Sequence, residues 1–327
     1  MAAEAARHLV VVTDYTFPDL EVERAILEPL GCTLTGAQCR TEAEVAEAVR
    51  DADFVLTQFA PITAVAIAAM GKARLITRYG IGVDNVDLAA ARARGIPVYN
   101  VPDYCIDEVA DHTLALVLAL TRQIARLDAG VKAGRWKDAP PLQRFHALAE
   151  LTTGVVGCGR IGREVIARLT PFKTKILAYD PALGDAAIRA LGAEPAPLDV
   201  LLATSDLVTL HCPSTPETRH LINPASLARM KDGVLLINVA RGALVDQPAL
   251  VAALRAGKVG GAALDVADPE PIEAGDPLLA MDNVVISSHI ASASVRAAAA
   301  LRRGVAGTVV LTLAGGPVLN CVNGVAR

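Results

Sequence analysis

Short runs of aliphatic and β-branched residues alternate with longer stretches of helical spacing from one end of this 327-residue chain to the other. In the first hundred residues "HLVVV", "DFVLT", "ARLIT" and "IPVYN" read as strands. Between them, "EVERAILEPL" and "TEAEVAEAVR" carry apolar positions at helical intervals. A second series begins near residue 152, with "TTGVVG", "KILAYD", "DLVTLH", "VLLINV", "GAALDV" and "NVVISS", again separated by helical segments. Such alternation predicts parallel strands with helices on both faces. The expected fold is α/β, with two doubly wound parallel sheets.

Between the two series a helical pattern runs from about Ile106 to Gly134, interrupted near Arg122. Its wide apolar face is expected to be buried between domains or subunits. After residue 289, "SVRAAAALRRGVAGTVVLTLAG" reads as one more long helix with no sheet after it, so it is expected to cross back to the first domain. The clearest irregular connection is 135–150, which holds the single tryptophan.

Composition narrows the function classes. Apolar residues make up 53% of the chain and aromatics only 3%, so its cores must be aliphatic. The net charge is −4 with charges scattered along the chain, which argues against nucleic-acid and anionic-membrane partners, since both need a concentrated basic surface. The six cysteines form no C-x-x-C pair and no metal-like cluster, so free thiols in a reducing compartment are expected, and no metal. "MAAEAARHLVVVTDY" lacks a basic n-region and does not read as a signal peptide. "TLALVLALT" (113–121) is too short to span a bilayer. A cytoplasmic location is expected.

The strongest local signal is "TTGVVGCGRIGREVIARL". A strand ends at Val156, the turn Gly157-Cys158-Gly159-Arg160-Ile161-Gly162 follows, and a helix opens. Glycines there permit a tight turn, close approach of a pyrophosphate, and close packing of helix on strand, with phosphate charge at the helix N-terminus. Asp180 ends the next strand, about 20 residues beyond the glycines, where a carboxylate accepts hydrogen bonds from a ribose diol. "PALGD" after it has no Arg or Lys to balance a 2′-phosphate, so NAD is favoured over NADP.

Three further residues project from the ends of successive strands. Arg241 follows "VLLIN", Glu270 follows "GAALDVADP", and His289 sits in "SSHIASAS". Singly, Arg241 reads as a surface cation, Glu270 as a loop carboxylate and His289 as a hydroxyl-bonded strand-end residue. Together, at the C-terminal edge where open α/β sheets bind ligands, they suit reduction of a 2-oxo acid. A guanidinium grips a carboxylate bidentately, and a carboxylate beside imidazole holds it protonated.

With "RYGIGVDNVDL" (78–88), "GCGRIGREV", "AYDP", "LHCPSTPETRHLIN" (210–223), "NVARGALVD" (238–246), "GAALDVADPEP" (261–271) and "SSHIAS" in this order, the chain resembles the D-isomer-specific 2-hydroxyacid dehydrogenase family over essentially its whole length. The resemblance implies a discontinuous, flavodoxin-like substrate-binding domain of residues 1–101 plus 290–327. It implies a Rossmann-type NAD-binding domain at 102–289, with the active site in a cleft that closes on binding. Its implied chemistry is hydride transfer between NAD and C2 of a small 2-oxo or 2-hydroxy acid. Arg241 would orient the carboxylate, His289 would exchange the proton, and Glu270 would pair with His289. Arg160 and Ile161 would meet the pyrophosphate, Cys212 and Pro213 would line the nucleotide, and Ala240 would lie near the nicotinamide. Asp265 would bond its carboxamide. Arg78 and the backbone around Gly80-Ile81-Gly82 would bind substrate.

Within the family, "NVPDYCIDEVADHT" and "LNCVNG" are similar to the carboxy-terminal-binding-protein branch, although Ser292 stands where that branch tends to have an aromatic residue. Phosphoglycerate dehydrogenases are similar too, but Thr57 and Gln58 stand where an arginine for the substrate phosphate is expected, with Arg78 or Arg74 as substitutes. Glyoxylate or hydroxypyruvate is the expected kind of substrate. The alternative is an NAD(H)-gated, corepressor-like binding protein with vestigial catalysis. A homodimer through the NAD-binding domain is expected from the apolar face of 106–121.

Overall fold

The computed structural model describes residues 8–138 and 140–325, so residues 1–7 of the N-terminal stretch considered above for a signal peptide lie outside the described residues. The chain forms two compact units, one made of the chain up to Cys105 and from Ser294 onward, the other of Ile106–Ala293. The divisions thus fall at 105/106 and 293/294, against 101/102 and 289/290 expected from sequence.

The first unit alternates β1 (His8–Val12), α1 (Glu21–Leu27), β2 (Cys32–Gly36), α2 (Glu42–Ala48), β3 (Phe54–Thr57), α3 (Ala64–Ala69), β4 (Leu75–Arg78), α4 (Leu88–Ala93) and β5 (Val98–Tyr99). All strands are parallel, in the order β2-β1-β3-β4-β5, a doubly wound arrangement of the flavodoxin type. Strand pleating sends Val10 and Val12 into one core and Val11 into the other, so β1 must be apolar throughout. β2, "CTLTG", is a strand that the hydrophobic pattern does not predict. It is an edge strand paired only with β1, and it buries Cys32 and Leu34 while exposing Thr33 and Thr35.

The second unit opens with α5 (Ile106–Thr121) and α6 (Ile124–Lys132). The break between them lies at Gln123, whose left-handed φ of 58° ends one helix and starts the next. There follow β6 (Thr152–Val156), α7 (Arg160–Leu169), β7 (Lys175–Tyr179), α8 (Asp185–Ala190), β8 (Glu194–Pro195), α9 (Leu198–Thr204), β9 (Leu207–Leu210), α10 (Pro224–Arg229), β10 (Val234–Asn238), α11 (Gln247–Arg255), β11 (Val259–Leu264) and β12 (Val284–Ile286). The parallel sheet runs β12-β11-β10-β9-β6-β7-β8. The chain's direction of winding reverses between β6 and β9, which is where such sheets bind ligands. β8 is two residues long, too short for the hydrophobic pattern to mark it.

The apolar face of α5 is covered within its own unit. Val109, Ala110, Leu116, Val117 and Leu120 are buried, and the helix packs on α7, β10, β11 and β12. The expectation that this face is buried between domains or subunits is corrected accordingly for α5, whereas α6 buries no residue. Arg168 of α7 seals the α5–α7 contact, bonding Asp107 at 2.8 Å and Asp111 at 2.7 Å.

The last helix, α12 (Val295–Leu313), belongs to the first unit. It lies against α1 and β4, and Leu301, Val305 and Val309 join Leu27, Phe54 and Leu75 in one core. Each such side chain contributes about 1.5–3 kcal/mol on burial. Among the described residues no helix is long and apolar enough to cross a membrane.

Candidate active site

The glycine-rich turn joins β6 to α7, and each glycine answers to a different constraint. Gly157 has φ 94°, and a Cβ there would stand 2.7 Å from the Cys212 backbone nitrogen. A Cβ on Gly162 would lie 2.0 Å from the Gly157 carbonyl oxygen, so the helix approaches the turn only without a side chain. Nothing lies within 4 Å of a Cβ at Gly159, where the backbone faces open space at the head of α7. This is the space that a pyrophosphate against a helix N-terminus requires. The Cys158 N–H donates to Asp180 Oδ2 at 2.8 Å, and the Ala182 N–H donates to Oδ1 at 2.8 Å. Asp180 therefore ties the end of β7 to the glycine turn, and each of its oxygens retains acceptor capacity.

Cys158, buried in that turn, has its thiol pushed up to about 11 by burial and by the nearby Asp180 charge. Cys212, after β9, is raised to about 11, mainly by burial. Pro213 beside it is exposed. His211 between β9 and Cys212 bonds the Thr209 hydroxyl at 2.9 Å, and desolvation pushes it down to about 3, so it is a neutral structural histidine. Arg160 is exposed and Ile161 half-buried on the first turn of α7.

Arg241 sits just past β10, in a turn built by Asn238. The buried Asn238 accepts from the Ala240 N–H at 3.1 Å and donates from Nδ2 to the Arg241 carbonyl at 2.8 Å. Gly242 allows this turn to press on the loop after β11, for a Cβ there would stand 1.8 Å from the Ala267 carbonyl oxygen. Asn238 and Gly242 were not singled out in the sequence, although a polar residue closing the apolar run "VLLIN" is such a signal.

That loop carries Glu270. Its Oε1 accepts from the Ala267 N–H at 2.9 Å, and its Oε2 accepts from His289 Nδ1 at 2.7 Å. Burial pushes the Glu270 carboxyl up, but the hydrogen bonds from His289 and Ala267 and the charges of His289 and Arg241 outweigh it and hold the group below its ordinary range.

His289 has φ 54°, a left-handed conformation that costs a non-glycine residue about 1 kcal/mol or more. Asp265 supplies what holds it there. The Asp265 carbonyl accepts from the His289 N–H at 2.7 Å, Oδ1 accepts from the Ile290 N–H at 3.0 Å, and Oδ2 accepts from the Ala291 N–H at 2.9 Å. One buried residue at the end of β11 thus clamps three consecutive amides. The Ser287 hydroxyl donates to the same Oδ1 at 2.6 Å. Ala240 is half-buried between the Asn238 and Arg241 positions.

Within this unit the structure brings Glu270 and His289 into direct contact and places Arg241 close enough to lower the Glu270 carboxyl. The other expected substrate residues, Arg78 and Gly80-Ile81-Gly82, stand on the first unit. Arg78 ends β4 and folds its guanidinium over Gly80, where a Cβ would meet Nη1 at 1.6 Å and φ is 143°. Arg78 Nε donates to the Gln58 carbonyl at 3.1 Å, and the guanidinium lies over the Phe59 ring. Asn100 Nδ2 donates to the Ile81 carbonyl at 2.6 Å, and Gly82 follows in the same turn. Thr57 and Gln58 are buried with their side chains turned to Asp14, Ala60 and Thr16. Arg74 is engaged by the Thr312 carbonyl and the Phe54 ring. Among the described residues no group of three or more His, Cys, Asp or Glu side chains is placed to hold a metal ion.

A glycine turn at the point of reversal of a parallel sheet, with a carboxylate–imidazole pair after other strands of the same sheet, is the architecture of dinucleotide-binding oxidoreductases. Residues 114–291 match the family described as D-isomer specific 2-hydroxyacid dehydrogenase, NAD binding domain. The chain belongs to that family. It is 41% identical over 264 residues to a D-3-phosphoglycerate dehydrogenase of Archaeoglobus fulgidus, covering 80% of this chain and 49% of the relative. It is 41% identical over 253 residues to a glyoxylate reductase of Korarchaeum cryptofilum, covering 76% of each. The structure resembles that of the Aquifex aeolicus D-lactate dehydrogenase complexed with NAD and lactic acid, with a TM-score of 0.84 and 30% identity over 94% of this chain and 96% of the other. The chain spans about half the length of the phosphoglycerate dehydrogenases it matches.

Proposed function

We propose that the protein is an NAD-dependent D-2-hydroxyacid dehydrogenase that interconverts a small 2-oxo acid and its 2-hydroxy acid. The observation that carries the reading is the 2.7 Å contact between Glu270 and His289 on a loop held by Asp265. NAD, when bound, accepts or supplies the hydride. Gly157, Gly159, Arg160, Ile161 and Gly162 are the residues to hold its pyrophosphate, Asp180 its ribose diol, and Cys212, Pro213, Ala240 and Asp265 the remainder. Arg241 binds the substrate carboxylate with its two-pronged guanidinium. With Nδ1 engaged by Glu270, proton exchange with the substrate oxygen falls to Nε2 of His289. In reduction that proton passes to the carbonyl oxygen as C2 gains the hydride, and solvent restores it afterwards. Arg78 and the Gly80-Ile81-Gly82 turn are the proposed substrate-binding residues of the first unit.

Relatives bear the names of both phosphoglycerate dehydrogenase and glyoxylate reductase. A small unphosphorylated acid of the glyoxylate or hydroxypyruvate kind is favoured here, because Thr57 and Gln58 are buried, Arg74 is engaged by the Thr312 carbonyl and Arg78 Nε by the Gln58 carbonyl. The corepressor-like alternative finds no support among these relatives. A homodimer through the second unit is supported by the apolar side chains that its surface exposes around α6, Ile124, Val131, Trp136 and Leu142. A cytoplasmic location suits six cysteines that are thiols rather than disulfides.

NADH oxidation with glyoxylate, hydroxypyruvate, pyruvate, 2-oxobutyrate and phosphohydroxypyruvate tests the reading. Turnover of at least one unphosphorylated acid is expected. No turnover with any of them would sink the activity, and highest efficiency with phosphohydroxypyruvate would sink the substrate preference.

A further inference from the structure

Asp265 is joined by a side chain that neither the glycine motif nor the Arg–Glu–His constellation includes. His112, on the second turn of α5, places Nε2 3.0 Å from the Ser287 hydroxyl and 3.7 Å from Asp265 Oδ1. Its position follows from the packing of α5 on β11 and β12. Val109, Thr113 and Leu116 are buried, and His112 stands at the margin of that buried face with its ring partly exposed.

The direction of the hydrogen bonds is fixed by the acceptor at the far end. Ser287 Oγ lies 2.6 Å from a carboxylate oxygen, so its single proton points at Asp265. Its oxygen is then an acceptor toward His112, and the His112 tautomer that satisfies it carries the proton on Nε2. A directed chain results, from His112 Nε2–H to Ser287 Oγ–H to Asp265 Oδ1. Asp265 in turn receives the amides of His289, Ile290 and Ala291.

We infer that His112 is a positioning residue for proton transfer. By orienting the Ser287 hydroxyl onto Asp265, it fixes the backbone segment that holds His289 in its left-handed conformation opposite Glu270. The left-handed φ of His289 makes this support consequential. That conformation is held against its intrinsic cost by the bonds to Asp265, and a loosened Asp265 frees the ring to leave the line between Glu270 and the substrate oxygen. Misplacement of a reacting group by about 1 Å can cost roughly 10²-fold in rate. His112 touches neither Glu270 nor Arg241 in this arrangement, so its effect runs through geometry alone.

The inference rests on the dehydrogenase reading of His289, and the test separates the two. Reduction of the best 2-oxo acid is measured for the parent and for His112→Ala, His112→Phe, His112→Gln, Ser287→Ala and His289→Ala, each with NADH binding by fluorescence and a thermal melt. His112→Ala and His112→Phe are expected to lower kcat roughly ten-fold with KM and NADH affinity within about two-fold. His112→Gln keeps an N–H at the position of Nε2 and is expected to recover most of the rate, a rescue that simple packing would not favour over phenylalanine. The double variant His112→Ala/Ser287→Ala should be no slower than Ser287→Ala, because both break one chain. His112→Ala within about two-fold of the parent, or Phe rescuing as well as Gln, overturns the inference while the dehydrogenase reading stands on the inactivity of His289→Ala. Full activity in His289→Ala overturns the reading itself, and the inference with it.

Discussion

Nδ1 of His289 and Oε2 of Glu270 lie 2.7 Å apart, joining a residue that follows β12 to one on the loop after β11. The contact is half-exposed, with side-chain accessibilities of 33% and 37%, so its worth is in orienting and charging the ring rather than in stability.

The first prediction follows from that pair. Reduction draws a proton from His289 and oxidation returns one to it, with Glu270 orienting the ring for both. Glu270→Gln keeps a hydrogen-bonding side chain but removes the titrating carboxylate, and should slow turnover and change the acid side of the reduction profile. His289→Ala should lose roughly 10²–10⁴-fold in turnover while NADH still binds. The acid side is set by Glu270, whose carboxyl is held below its ordinary value of 4.5. A depressed carboxyl contributes above that ordinary value and is lost as pH falls through the lowered one, so reduction should persist below pH 4.5 for as long as the fold does. A pH profile unmoved by Glu270→Gln contradicts this account.

Cofactor preference supplies the second. Asp180 binds the glycine turn and offers a carboxylate where a 2′-phosphate would need a cation. NADH should be preferred to NADPH, and Asp180→Ala should weaken NADH roughly ten-fold by removing charge-assisted hydrogen bonds. Titration of both cofactors checks it. Equal efficiency with the two in the unaltered protein would count against the assignment.

A third concerns the buried ion pair of the first unit. Arg302 reaches Glu23 at 2.7 Å, where the Glu23 side chain is fully buried, and Tyr79 donates to the same carboxylate. Arg302→Met should cost about 3–5 kcal/mol, because it leaves a buried charge without its partner. Replacing both, as Arg302→Met/Glu23→Leu, should recover most of that loss. Urea denaturation decides, and a single variant as stable as the parent refutes the argument.

Thiol chemistry gives the fourth. With both groups near 11, Cys158 and Cys212 hold roughly one thiolate in a thousand at pH 8. Mass spectrometry after iodoacetamide treatment should find both largely unmodified at pH 8 in the folded protein and reactive in urea. Rapid labelling of Cys158 under native conditions would be inconsistent with its burial.

Local signals in the sequence carry most of the two sheets and mark residues of the candidate site, and fail where structure depends on distant partners. Gly157 and Gly162 were legible because a close backbone approach admits no other residue. Arg241, Glu270 and His289 were legible as strand-end residues because parallel strands bring their ends to one edge. β2 was missed because an edge strand with Thr33 and Thr35 in solvent has little apolar content to show. His112 lies 175 residues from Ser287, and nothing around either one announces the other. Asp265 was read as a nicotinamide contact, and its clamp on residues 289–291 emerged only once β11 and β12 were seen side by side.

The return of α12 to the first unit sets the order in which a growing chain can fold. Arg302 and Glu23 are 279 residues apart, and Asn323 closes the opposite side of the same unit through Val98 and Ile96. A nascent chain therefore releases the opening strands from the ribosome first, yet withholds Leu301, Val305 and Val309 from their core until synthesis has passed them. The second unit is continuous and has no such wait. Synthesis and folding are expected to run in opposite order here, with the early-made strands exposed longest and dependent on chaperones meanwhile. Protease protection of ribosome-stalled chains, appearing in the second unit before the first, is the expected sign.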